Sequence, residues 1–153
     1  MHVVTYDRFY GSLANAARHP EGLAVLGFFF EIAPEENLAW APLINSLPRV
    51  TDPTTEFDLK EVPLAKLLPD DISEYYRYDG GLTTPPCSEV VTWTVFRQPI
   101  RISAKQMAAF RKLKSSDLDP AGNALPLVDN FRPVQDLHGR TISTNFRATM
   151  MIG

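Results

Sequence analysis

The stretch "YRYDGGLTTPPCSEVVTWTVF", Tyr76 to Phe96, sets two glycines, adjacent threonines, adjacent prolines and the only cysteine of the chain directly before alternating bulky residues. Two readings are open on the residues alone. Gly and Pro break regular structure, and a Pro-Pro step can hold a tight turn, sometimes through a cis bond. Small residues also admit a ligand close to the backbone, and two hydroxyls beside rigid prolines are held still enough to orient it. Turns of this composition are common in β proteins. Downstream, "EVVTWTVFRQPIRI" sets Val91, Trp93 and Val95 against Thr92, Thr94 and Phe96, the period of a strand between two different environments.

Working outward, "HVVTYDRF" from His2 and "LAVLGFFFEI" from Leu23 are β-branched and aromatic runs that predict buried strands. Between them "ANAARHPEG" predicts a short helical or turn connection ended by Pro20 and Gly22. "NLAWAPLINSLPRV" predicts a short amphipathic helix with Leu38 and Ile44 on its inner face and Pro48 at its end. The Pro- and Asp-rich stretch from Thr51 carries one helical turn at Leu64 to Leu67 and a strand at Glu74 to Tyr78. "SAKQMAAFRKLKS" is the clearest helix: Ser103 as N-cap, Gln106 as its capping-box partner, and Met107, Phe110 and Leu113 on one face. The tail "DNFRPVQDLHGRTISTNF" reads as loop, a turn at His138-Gly139 and a last short strand.

Composition excludes several function classes. The chain has 153 residues, enough for one domain with a real core, and is 44% hydrophobic and 22% charged. Its 15 basic and 18 acidic residues give a net charge of -3, and the basic ones are scattered, so nucleic acid is not an expected partner. No apolar run reaches transmembrane length, and "MHVVTYDRFY" lacks the basic start and apolar core of a signal peptide. The three histidines, His2, His19 and His138, and Cys87 form no H-x-H or C-x-x-C pair, and no nucleophile elbow or phosphate loop occurs. The residues alone give a mixed, β-rich soluble domain.

"LTTPPCSEVVTW", with "HPEGLAVLG" before it and "ISAKQMAAFRKL" and "VDNFRPVQ" after it, resembles the C-terminal part of an α-class carbonic anhydrase. The resemblance implies an α+β, mainly β fold: a large central, mostly antiparallel sheet with short peripheral helices, residues 1–153 forming a single incomplete domain. It implies a zinc lyase that hydrates CO2 reversibly to bicarbonate and a proton, with sulfonamide-type inhibitors. His2 takes the place of the third Zn2+ ligand; the other two ligands, and the glutamate that orients this histidine, belong to the part before Met1. Thr83 takes the place of the hydroxyl that accepts a hydrogen bond from the attacking hydroxide and donates its own to a buried glutamate, aiming the nucleophile at CO2. Thr84 resembles the residue on the polar edge that meets bicarbonate and inhibitors.

Val4, Val25, Leu82 and Trp93 correspond to the apolar wall that holds CO2, and for each of them plain core packing is the alternative. Pro85-Pro86 resembles the family's rigid, cis-containing turn. Asn130 takes the place of a residue whose backbone carbonyl receives the ring proton of another zinc histidine, and Arg132 ties the tail to the sheet. Thr5 stands where a second histidine is common, and Gly81 where serine is common, the latter implying a mild loosening of the loop. His19 and His138 match no ligand or shuttle position and read as solvated loop residues. Cys87 resembles a cysteine of extracellular members that is disulfide-bonded to the N-terminal part, which implies a secreted or membrane-anchored parent. Two other classes stay open: a catalytically inactive carbonic-anhydrase-related binding module, and a truncated fragment without activity of its own.

Overall fold

The computed structural model describes residues 1–147. Those residues form nine strands: β1 (His2–Tyr6), β2 (Leu23–Gly27), β3 (Phe30–Ala33), β4 (Tyr75–Gly80), β5 (Val91–Phe96), β6 (Ile100–Ser103), β7 (Lys114–Leu118), β8 (Ala124–Pro126) and β9 (Ser143–Thr144). Three short helices accompany them, α1 (Leu13–Ala16), α2 (Ala41–Ser46) and α3 (Ala104–Phe110). Contacts divide the chain into two compact units. The first joins Met1–Phe29, Asp70–Pro99 and the stretch from Phe131 on; the second joins Phe30–Pro69 and Ile100–Asn130.

The first unit is built on a five-stranded sheet of order β1-β2-β5-β4-β9. The β1/β2, β5/β4 and β4/β9 pairs are antiparallel and β2/β5 is parallel, so the sheet is mostly antiparallel, as expected. Alternation along β2 and β5 sends Leu23, Val25, Val91 and Trp93 to one face, where they bury against Ala16 of α1 and Val90. Ser12 caps α1 by accepting a hydrogen bond from the Asn15 amide at 3.2 Å.

In the second unit β3 and β6 pair in parallel, and β7 and β8 form a separate hairpin. Ser103 and Gln106 make the capping box that the sequence predicts. Trp40, 4% exposed, packs edge-on to Phe30 and Phe110 and donates its indole N–H to the Leu67 carbonyl at 3.3 Å.

Several expected elements differ in extent. "LAVLGFFFEI" is two strands, β2 and β3, in different sheets, because Phe28 leaves the β2 line to stack on Phe96 with centroids 4.8 Å apart. The segment 37–50 is a 3-10 turn (Leu38–Trp40), then α2, then a second 3-10 turn (Leu47–Arg49). Asn37 caps the first turn by accepting from the Ala39 amide, and the tighter three-residue winding leaves Leu38 80% exposed while Trp40 and Leu47 bury. The helix from Ser103 ends at Phe110, so Leu113 lies beyond it. Lys114 is drawn into β7, where its amide bonds to the Thr51 carbonyl and Leu113 accepts from the Leu127 amide.

Candidate active site

Register builds the site from the sheet. Val4 lies opposite Val25, Val25 opposite Trp93 and Trp93 opposite Tyr78, so one row of side chains crosses four strands on one face. Two residues along, the next row on that face is His2, Gly27, Val95 and Tyr76. The His2 ring meets the edge of Trp93 at 4.8 Å between centroids, with planes at 75°. Gly27 sits where a Cβ would lie 3.2 Å from the Val95 side chain and 3.5 Å from the indole, so its missing side chain gives Trp93 its place beside His2. Burial against this surface, and then the nearby amino-terminal ammonium, lower the His2 pKa and favour its neutral imidazole.

Val25 and Trp93 are sealed into the core, and Leu82 packs against the same cluster. Val4 is 48% exposed, so the row runs from a closed floor to an open end.

Thr83 and Thr84 follow Leu82 in an exposed loop. The Leu82 amide donates to the Ser88 carbonyl at 3.0 Å, and the Cys87 amide donates to the Thr84 carbonyl at 2.9 Å. Within that inner turn the Pro85-Pro86 bond is cis, and Cys87 adopts φ 59°. Among the described residues neither threonine hydroxyl, nor the Thr83 amide, has a hydrogen-bond partner. Behind the loop, the Trp93 indole N–H donates to the Gly81 carbonyl and the Arg132 guanidinium to the Leu82 carbonyl, each at 3.1 Å. Arg132 therefore binds the loop that carries the threonines.

Gly81 is not a loosening. A Cβ there would stand 2.9 Å from the Cys87 carbonyl oxygen and 3.0 Å from the Arg132 guanidinium, so glycine is what lets the loop close. The sequence signal was present in "DGG", but only the packing shows which atoms fill the space. Tyr78, stacked on Trp93 at 6.5 Å, is a further member of the row that the sequence reading did not single out.

Asn130 is exposed and belongs to the second unit. His19 stacks on Tyr10 at 4.5 Å, and His138 sits in an exposed turn at φ 47°. Cys87 is a half-buried free thiol. Among the described residues no three His, Cys, Asp or Glu side chains gather as metal ligands. His2 alone does not fit a zinc centre, which needs three protein ligands and an open position.

The sequence profile of the eukaryotic-type carbonic anhydrases matches residues 1–146. Carbonic anhydrase 7 of Mus musculus is 40% identical over 149 residues, 97% of this chain and 55% of that protein. Carbonic anhydrase 4 of Rattus norvegicus is 37% identical over 144 residues, 93% of this chain and 46% of that protein. Carbonic anhydrase 3 of Sus scrofa is 34% identical over 152 residues, covering 96% and 55% respectively. The class is thus that of carbonic anhydrases, zinc-dependent lyases as a family. The chain belongs to the eukaryotic-type carbonic anhydrase family, and it spans about half the length of the curated relatives that it matches.

Proposed function

We propose that residues 1–153 are the C-terminal part of one carbonic anhydrase domain, in a protein that interconverts CO2 and water with bicarbonate and a proton. The single observation that carries this reading is the row Val4, Val25 and Trp93, closed by Leu82 and bordered by His2, with a Thr83 hydroxyl at the next position that has no partner among the described residues. An apolar floor of modest side chains suits a small neutral gas, and a neutral imidazole beside it suits a metal. In this reading Zn2+ takes one ligand from His2 and the others from outside the chain. Thr83 orients the nucleophile through its hydroxyl, and Thr84 meets bicarbonate or a sulfonamide at the polar edge. Pro85 and Pro86 hold the turn behind them, and Asn130 serves as a backbone acceptor in the completed domain.

Cys87 adds a location. In the same reading, the single half-buried Cys87 thiol pairs with a cysteine outside the chain, and the parent is secreted or surface-anchored, where an oxidising compartment supports such a bond. Non-reducing peptide mapping of the native protein checks this, and an unmodified Cys87 thiol refutes it.

The deciding experiment is stopped-flow CO2 hydration, with zinc analysis, on the full-length protein that carries these residues. Thr83→Ala is expected to lower kcat/KM about 100-fold while leaving the fold intact. A zinc-free, inactive full-length protein would show a binding module instead. A Thr83→Ala variant with unchanged kcat/KM would remove the role given to Thr83.

A further inference from the structure

We propose that Arg132, assisted by Arg140, is a positioning residue that holds Thr83 from behind, a role that rests on the reading of Thr83 as the orienting hydroxyl. Both arginines come from the irregular tail after Phe131, and both reach the run Asp79–Leu82 that leads into the threonine loop. Arg132 donates from Nη1 to the Leu82 carbonyl at 3.1 Å, and Arg140 reaches the Asp79 carbonyl from Nη1 at a longer 3.4 Å. Between them the indole of Trp93 holds the Gly81 carbonyl. Three of the four carbonyls entering the loop are thus held by side chains distant in sequence.

Gly81 makes the Arg132 contact possible. A Cβ at Gly81 would stand 3.0 Å from Nη1 of Arg132, whereas one at Gly80 would crowd the Trp93 and Tyr78 rings at 3.2 Å and meet Nη1 of Arg140 only in ordinary contact at 3.5 Å. The second glycine of "DGG" is therefore the space in which the Arg132 guanidinium approaches the backbone.

Arg132 is half-buried, yet the ion pairs among the described residues are Arg97–Glu74 and Lys105–Glu36, and neither involves it. A partly desolvated cation without a carboxylate is an unfavourable arrangement unless its donors are used. Here the donor goes to a neutral carbonyl, and such charge-assisted bonds are stronger than neutral ones. Among the described residues, the amide and hydroxyl of the next residue, Thr83, have no partner. The backbone is fixed on one side, and the groups that would meet a ligand are left open on the other.

The test compares Arg132→Met and Arg132→Lys in the full-length protein by amide hydrogen exchange at Leu82 and Cys87, the hydrogen-bonded amides of the loop, and by kcat and KM for CO2 hydration. Arg132→Met is expected to speed exchange at these amides, and to lower kcat, each about tenfold, with a smaller change in KM. Arg132→Lys, which restores one donor, is expected to recover part of both. Unchanged exchange in Arg132→Met overturns the proposal. So does a lowered Tm with unaltered kcat per folded molecule, the result for a merely structural arginine. Should the parent protein lack CO2 hydration, the functional reading fails by itself, and the exchange comparison still decides whether Arg132 holds the loop.

Discussion

Replacing Trp93 by Phe probes the point where sheet and loop meet. The indole is 6% exposed, and its N–H is the donor to the Gly81 carbonyl at 3.1 Å. Phenylalanine removes that donor and leaves the carbonyl unpaired, at a cost of about 1–3 kcal/mol. The smaller ring also withdraws from Gly27, Gly80 and the His2 edge, leaving a gap worth about 1 kcal/mol. The sum, about 2–4 kcal/mol, corresponds to a fall in Tm of roughly 5–15 °C for a domain of this size class. Thermal unfolding of the full-length protein by calorimetry measures the first quantity, and hydrogen exchange at the Leu82 and Cys87 amides tests whether the loss is felt in the loop. A destabilisation under about 1 kcal/mol would refute the weight given to the indole bond. So would a large destabilisation that leaves loop exchange untouched, because the stability would then come from ring packing alone.

Gln106, 3% exposed, accepts from the Asn37 and Ser103 amides at 2.8 and 3.1 Å and donates to the Asn37 carbonyl at 2.8 Å. Gln106→Leu keeps the size but strands all three groups and is expected to cost about 2–4 kcal/mol in urea unfolding; a cost below about 1 kcal/mol would mean that the segments separate to admit water. Hydrogen bonds from the Asn123 side chain and amide, with those from Ala121 and Gly122, lower the Asp119 pKa below its usual 3.8. Its stabilisation of the β7/β8 turn is thus complete above about pH 3.8 and is lost as the pH falls through the depressed folded value. Amide shifts of Ala121 and Asn123 followed by NMR should move below pH 3.8, and a midpoint above it contradicts the assignment. Residues 1–153 by themselves are expected to show no zinc-dependent CO2 hydration, and measurable turnover from that chain would overturn the ligand count made around His2.

The legible parts of the fold were those fixed locally. The Ser103 and Gln106 capping box follows from side chains that bond neighbouring backbone, and the turn at His138-Gly139, the single turn at Leu64 to Leu67 and the alternation of β5 follow from the residue types of a few consecutive positions. What the sequence hid was set by distant partners. Nothing in a run of three phenylalanines marks where β2 ends and β3 begins, because Phe28 is turned by Phe96. Likewise, Leu113 continues a helical period that ends only because Lys114 finds β8. The site was split in the same way. Val4, Val25 and Trp93 were readable as alternating apolar residues, but their shared row is a matter of register, and the meaning of Gly81 lies partly in Arg132, more than fifty positions away.

The parallel pairing of β2 with β5 bears on how such a chain is made. Leu23 waits for Val91, and Tyr76 waits for Thr144, so joining the local β1/β2 and β4/β5 pairs into one sheet means closing loops of long span. Loop-closure entropy must be overcome before any of these contacts repays it, which makes the sheet slow to nucleate compared with the local hairpin of β7 and β8. During synthesis β1 and β2 can pair before β5 is made, so the apolar row that will later border the site waits with the Leu23–Gly27 edge open to its β5 partner. The residues best suited to hold a small neutral molecule are therefore exposed to misassociation until β5 arrives, and a chaperone that shields β1 and β2 would act on the future binding surface itself.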